Sequence, residues 1–134
     1  MAVRLDHAGL NVADLDAASR FYARAFGFET ELEFELPDGI RGAMLKLPAG
    51  GRLELFERPG AAAGPAPSSP IEALAVRGYG HFAVSAPDID AVYGWALDAG
   101  ASERVSPRPS PEPGVRFAFV ADPEGNLVEL VERA

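Results

Sequence analysis

Two histidines occur among the 134 residues, and no cysteine. His7 and His81 are displaced from one another by 74 positions, and each is matched further on by a glutamate set between two aliphatic residues. These are Leu53-Glu54-Leu55 and Val128-Glu129-Leu130, displaced by 75. Imidazole and carboxylate together are donors that suit Zn²⁺, Ni²⁺, Co²⁺, Mn²⁺ or Fe²⁺. Without cysteine, thiolate metal sites and disulfides are excluded. If the two halves pair about a pseudo-twofold axis, His7, Glu54, His81 and Glu129 meet on one divalent ion. Four protein ligands on a six-coordinate ion leave two cis positions for neighbouring substrate oxygens, and the two carboxylates balance the charge of the ion. The chemistry expected is stabilisation of an enolate or enediolate by the metal, with Glu54 or Glu129 shuttling a proton as general base and acid.

The elements that must position these residues follow from periodicity. Arg4–Val12 reads as a strand. Asp14 is an N-cap for a helix carrying Leu15, Ala18, Phe21, Tyr22 and Ala25 on one face and stopped by Gly27. Phe28–Leu36, Ile40–Leu47 and Arg52–Glu57 alternate as strands, the first two separated by the turn Pro37-Asp38-Gly39. The order is βαβββ, and it recurs. Gly80–Ala86 is a strand, Asp88 caps a helix with Ile89, Val92, Tyr93, Ala96 and Leu97, and Ala101–Val105, Val115–Val120 and Leu127–Val131 are strands. Pro107 to Pro113 holds four prolines and is expected to be a loop. Because side chains alternate faces along a strand, the aliphatic neighbours of Glu54 and Glu129 should face a helix-covered core and the two glutamates the opposite side.

The repeat holds residue by residue: His7, Asp14 and Asp16 recur as His81, Asp88 and Asp90, and Arg52–Glu57 recurs as Leu127–Glu132. The fold class expected is α+β, a single domain over 1–134 with one module over about 1–58 and a second over about 78–134. Residues 59–77, rich in Gly, Ala, Pro and Ser, read as an exposed linker, with a helical turn near Ile71–Val76. The net charge of −8 argues against nucleic acid as a partner. No apolar run is long enough for a membrane span, and the N-terminus lacks a signal-peptide h-region, so a cytoplasmic location is the expectation.

The segments His7-Ala8-Gly9-Leu10-Asn11-Val12-Ala13-Asp14-Leu15-Asp16, Phe21-Tyr22, Phe26-Gly27-Phe28, Arg52-Leu53-Glu54-Leu55-Phe56, Gly80-His81-Phe82-Ala83-Val84 and Asp122-Pro123-Glu124-Gly125-Asn126-Leu127-Val128-Glu129-Leu130 together resemble the vicinal oxygen chelate superfamily over nearly the whole chain. That resemblance implies paired βαβββ modules forming an open barrel around one metal, often completed as a homodimer. It also implies a small-molecule substrate that chelates the ion through vicinal oxygens. A glutamate at position 54 is similar to the four-ligand lyase and isomerase members, glyoxalase I and methylmalonyl-CoA epimerase. Bacterial glyoxalase I carries an arginine four residues after the first histidine and an asparagine four after the first glutamate, which help hold glutathione. Here those positions are Asn11 and Arg58, a departure from the glutathione-holding pattern.

Two other classes stay open at this level. One is a metal-independent protein that sequesters a drug, as bleomycin-resistance members do. The other is an Fe²⁺ extradiol-type dioxygenase using His7, His81 and Glu129 alone. Candidates for contacting the substrate are Asn11, Arg41, Phe56, Arg116 and Phe119, with Arg52, Phe34 and Phe117 as further possibilities.

Overall fold

Each run of alternating and helical periodicities folds into a four-stranded sheet with one long helix. The computed structural model describes all residues, Met1–Ala134, in two compact units, Met1–Ala63 and Gly64–Ala134. The first contains β1 (Ala8–Asn11), α1 (Leu15–Phe26), β2 (Glu29–Leu36), β3 (Ile40–Lys46) and β4 (Arg52–Glu57). The second contains a single-turn α2 (Pro70–Ala73), then β5 (Phe82–Ser85), α3 (Ile89–Asp98), β6 (Ser102–Pro109), β7 (Val115–Ala121) and β8 (Leu127–Arg133). The strand orders are equivalent, β1-β4-β3-β2 and β5-β8-β7-β6. In both, the first strand pairs in parallel with the last and the remaining pairs are antiparallel. No helix is long and apolar enough to cross a membrane.

The helices lie on the apolar face of each sheet. Leu15, Phe21, Tyr22 and Ala25 of α1 are buried with Ala43, Leu45, Leu53 and Leu55 of β3 and β4. Ile89, Tyr93 and Ala96 of α3 are buried with Ala118, Val120, Val128 and Leu130. Asp14 and Asp88 cap their helices as expected, accepting from the backbone N–H of Ala17 and Ala91. A second carboxylate, from the last strand, completes each cap. Glu57 accepts from the Leu15 N–H and Glu132 from the Ile89 N–H, both at 2.9 Å. An arginine ties the arrangement together in each unit. Arg41 reaches Asp16 at 3.0 Å and Glu57 at 3.8 Å, while Arg116 reaches Asp90 at 3.0 Å and Glu132 at 3.9 Å. Two otherwise unpaired N–H groups at each helix start are thereby satisfied, with negative charge placed at the positive end of the helix dipole.

The structure corrects two expectations. The first strands are shorter than periodicity suggests, so His7 and His81 sit at the entry to β1 and β5, where no ladder pairing yet holds the backbone. Pro107 and Pro109, expected in a loop, belong to β6. That strand is the sheet edge, and its register breaks between Glu103 and Val105 and again between Val105 and Arg108. A residue without an N–H is tolerated at such places. The stretch 59–77 is exposed over most of its length, and within it Ala66 lies against the turn before β8. A Cβ at Gly125 would lie 2.6 Å from the Ala66 Cβ, and Gly125 itself has φ of 90°. In the turn between β2 and β3, Asp38 takes up φ of 69°, a conformation unusual outside glycine.

Replacing Glu57 or Glu132 with alanine should cost about 1–2 kcal/mol of stability, since each removes the partner of a helix-start N–H. Urea denaturation of the two variants checks this, and equal losses are expected from the equivalent geometry.

Candidate metal centre

On β4 the alternation is strict. Leu53 and Leu55 are buried against the helix side, and Glu54 between them points to the other face with its side chain 22% exposed. Glu54 is opposed by Gly9 on β1 and Met44 on β3. His7 stands two residues before Gly9 and so shares that face. Its Nε2 lies 3.4 Å from Glu54 Oε1. The second unit repeats the construction: Val128 and Leu130 are buried, Glu129 is opposed by Ala83 and Phe119, and His81 Nε2 lies 3.2 Å from Glu129 Oε1. Within either unit no group of three His, Asp or Glu side chains is arranged to hold an ion.

The donor chemistry and spacing of each pair fit a divalent ion. Two ligands at about 2.1 Å from one ion lie about 3.0 Å apart in cis-octahedral and about 3.4 Å apart in tetrahedral geometry. The observed separations fall within or close to that range. Each pair would supply one neutral imidazole and one carboxylate, and the partial exposure of all four side chains leaves them accessible to an ion.

The two pairs are backed differently. His7 Nδ1 is 2.7 Å from Asp6 Oδ2. A carboxylate only accepts, so Nδ1–H donates and Nε2 is left facing Glu54. The residue before His81 is Gly80, which offers no such partner; His81 instead meets the edge of Phe119, with ring centroids 4.8 Å apart at 79°. The Asp6 hydrogen bond is the main cause raising the His7 pKa above 6.5; desolvation opposes it, and the charge of Glu54 adds to it.

Aromatic rings flank both pairs. Phe56, two residues beyond Glu54 and hence on its face, packs edge-on to Phe34 at 5.7 Å. Gly42 lies opposite both, and any side chain there would collide with the Phe34 ring at 2.4 Å. Phe117 and Phe119 pair at 6.0 Å on β7. Asn11, opposite Phe56 on β1, is exposed on the same face. Arg41 and Arg116 are not brought to this face. They oppose Glu57 and Glu132, an odd number of residues from Glu54 and Glu129, and are engaged at the helix starts. Arg52 pairs with Glu31 at 2.9 Å. Asp6 was not among the residues singled out from the sequence. The only signal for it was a carboxylate directly before a candidate ligand, and it has no counterpart in the repeat.

The family described as the Glyoxalase/Bleomycin resistance protein/Dioxygenase superfamily matches residues 4–130. A Vibrio cholerae protein named "Probable lactoylglutathione lyase" is 27% identical over 96% of this chain and 90% of its own length. A lactoylglutathione lyase of Arabidopsis thaliana is 26% identical over 97% of the chain, which spans only 44% of that relative. Among solved structures, a glyoxalase family protein from Enterococcus faecalis superimposes with a TM-score of 0.77 at 25% identity, covering 96% of this chain and 97% of that one. Glyoxalase I from Zea mays gives a TM-score of 0.79 at 25% identity, with 98% of this chain and 45% of the plant chain covered.

In the metal-free protein, His7 should titrate above 6.5. Its protonated form is then favoured by folding, so this contribution to stability is complete below the ordinary histidine value and is lost as pH rises through the folded one. An NMR pH titration checks it, with Asp6→Asn expected to lower the midpoint more than Glu54→Gln.

Proposed function

The chain belongs to the Glyoxalase/Bleomycin resistance protein/Dioxygenase superfamily, also called the vicinal oxygen chelate superfamily, and from that premise we propose that it is a divalent-metal-dependent lyase or isomerase. The substrate class is a small molecule with two neighbouring oxygens, such as a hydroxy-ketone or a 1,3-dicarbonyl. The observation that carries the reading is the pair of equivalent His–Glu contacts, His7–Glu54 and His81–Glu129, each with a donor spacing suited to one ion. In this reading the two pairs are the halves of one site and provide its four ligands, whether they come from one chain or from two copies of it. Exposed Leu5, Ile71, Leu74 and Tyr79 support a homodimer. A bound Ni²⁺, Co²⁺, Zn²⁺, Mn²⁺ or Fe²⁺ would act as a Lewis acid toward the substrate oxygens.

The protein's own side chains handle the proton. Glu54 or Glu129 removes it from the carbon beside the substrate carbonyl, and the same or the other carboxylate returns it to the neighbouring atom or the opposite face. Return to the former carbonyl carbon, with the hydroxyl proton passing to the other oxygen, exchanges the hydroxyl and carbonyl positions; return to the same carbon from the opposite face is epimerisation. The rings of Phe34, Phe56, Phe117 and Phe119 would pack against the rest of the substrate and keep water from the reacting carbon. Several relatives are named for lactoylglutathione. Asn11 and Arg58, standing where glutathione-holding residues are expected, argue against a glutathione adduct as the substrate of this chain. Glu54 lies about as close to its histidine as Glu129 does, which favours four ligands over the three of an extradiol-type dioxygenase.

The test is deuterium exchange from solvent into hydroxy-ketones, followed by NMR on protein stripped of metal and reloaded with Ni²⁺ or Co²⁺. Exchange should require the metal and should fall by about 10²–10⁴-fold in Glu129→Gln or Glu54→Gln at saturating metal. Full exchange in both variants would remove the carboxylates from the mechanism. A protein that takes up no divalent ion and shows no thermal shift with any of them would instead be a metal-free sequestering protein.

A further inference from the structure

We propose that Asp6 is a positioning residue for the metal centre: it fixes the His7 ring so that Nε2, and not Nδ1, is the donor, and it makes the first His–Glu pair the tighter-holding half of the site. The inference rests on the metal-dependent reading above.

A neutral imidazole carries one proton, on either nitrogen, and only the unprotonated nitrogen can ligate. In the first unit the choice is made by geometry. Both ring nitrogens face a carboxylate, but Asp6 Oδ2 lies 2.7 Å from Nδ1 and Glu54 Oε1 3.4 Å from Nε2, so the single proton of the neutral ring goes to the shorter contact and the Nε2 lone pair is left toward Glu54. A carboxylate behind a ligating imidazole also raises its basicity and restricts its rotation. This matters more at His7 than it would elsewhere, because the histidine precedes the first paired residue of β1 and no ladder hydrogen bond holds its backbone. In the second unit the equivalent residue is Gly80, and nothing lies within 4 Å of where a Cβ would be. His81 meets an aromatic edge and a single carboxylate, Glu129, 3.2 Å from its Nε2, so in the metal-free protein the proton is drawn to Nε2, the nitrogen that must be free to ligate, and no second carboxylate draws it to Nδ1. The duplicated pairs are therefore unequal: the first carries a carboxylate on each side of its imidazole, and the second carries one.

Asp6 is exposed, so its replacement should leave the fold intact. Two measurements on Asp6→Ala decide the matter. In metal-free protein at a pH where the ring is neutral, ¹⁵N shifts should show the His7 proton on Nδ1 in the wild type and moved toward Nε2 in the variant. In a competition titration with a chelator, affinity for Zn²⁺ or Ni²⁺ should fall by about 10-fold or more. Asp6→Asn, which keeps an acceptor without the charge, should lie between the two, and Gly80→Ala should match the wild type. A His7 tautomer unmoved by Asp6→Ala, or an unchanged metal affinity, overturns the inference while the metal site stands. A wild-type protein that binds neither ion overturns the metal-dependent reading itself and this inference with it.

Discussion

A glutamate fixed between two buried aliphatic residues on a strand has no choice of face. Leu53 and Leu55, and likewise Val128 and Leu130, are almost wholly withdrawn from water against a helix. Each would give up roughly 1.5–3 kcal/mol if turned outward. Slipping either strand by one residue would expose both aliphatics and drive a carboxylate into the apolar layer, where an unpaired charge is far more costly. The core thus holds Glu54 and Glu129 on the faces that receive His7 and His81. The chemistry of each pair depends on burial that takes place on the other side of the sheet.

That burial depends in turn on where the helices begin. Glu57 and Glu132 lie three residues beyond Glu54 and Glu129, an odd step, so they emerge on the helix side and accept from the first N–H of α1 and α3. One short strand therefore presents a metal-type donor to one face and a helix cap to the other. The arginines opposite, Arg41 and Arg116, bridge the strand carboxylate to an aspartate in the first helical turn. These positions are duplicated as faithfully as the histidines, which shows that repetition alone does not separate a structural cluster from a chemical one.

Much of this was legible in the sequence. The alternation around Glu54 and Glu129 predicts their outward face, Asp14 and Asp88 read as caps, and the displacement of 74 to 75 positions predicts two equivalent βαβββ units. What was not legible depends on register. Arg41 and Arg116 looked like substrate anchors because nothing in the sequence states that they oppose Glu57 and Glu132 and not the glutamates three residues earlier. Pro107 and Pro109 looked incompatible with a strand because edge position and register breaks are properties of the assembled sheet. Asp6 is not legible for the opposite reason: the repeat marks residues that have a counterpart, and its equivalent position is Gly80. The aromatic lining is similarly unrepeated, arising from β2 and β4 in one unit and from β7 alone in the other.

The central claim is that the two His–Glu pairs serve a single ion. Titrating Co²⁺ into the metal-free protein while following the imidazole resonances tests it most directly. The first equivalent per site should shift and broaden the His7 and His81 signals together, in proportion. Imidazoles that respond in separate steps, or one that responds while the other stays at its diamagnetic position, would show that the pairs are independent and contradict it.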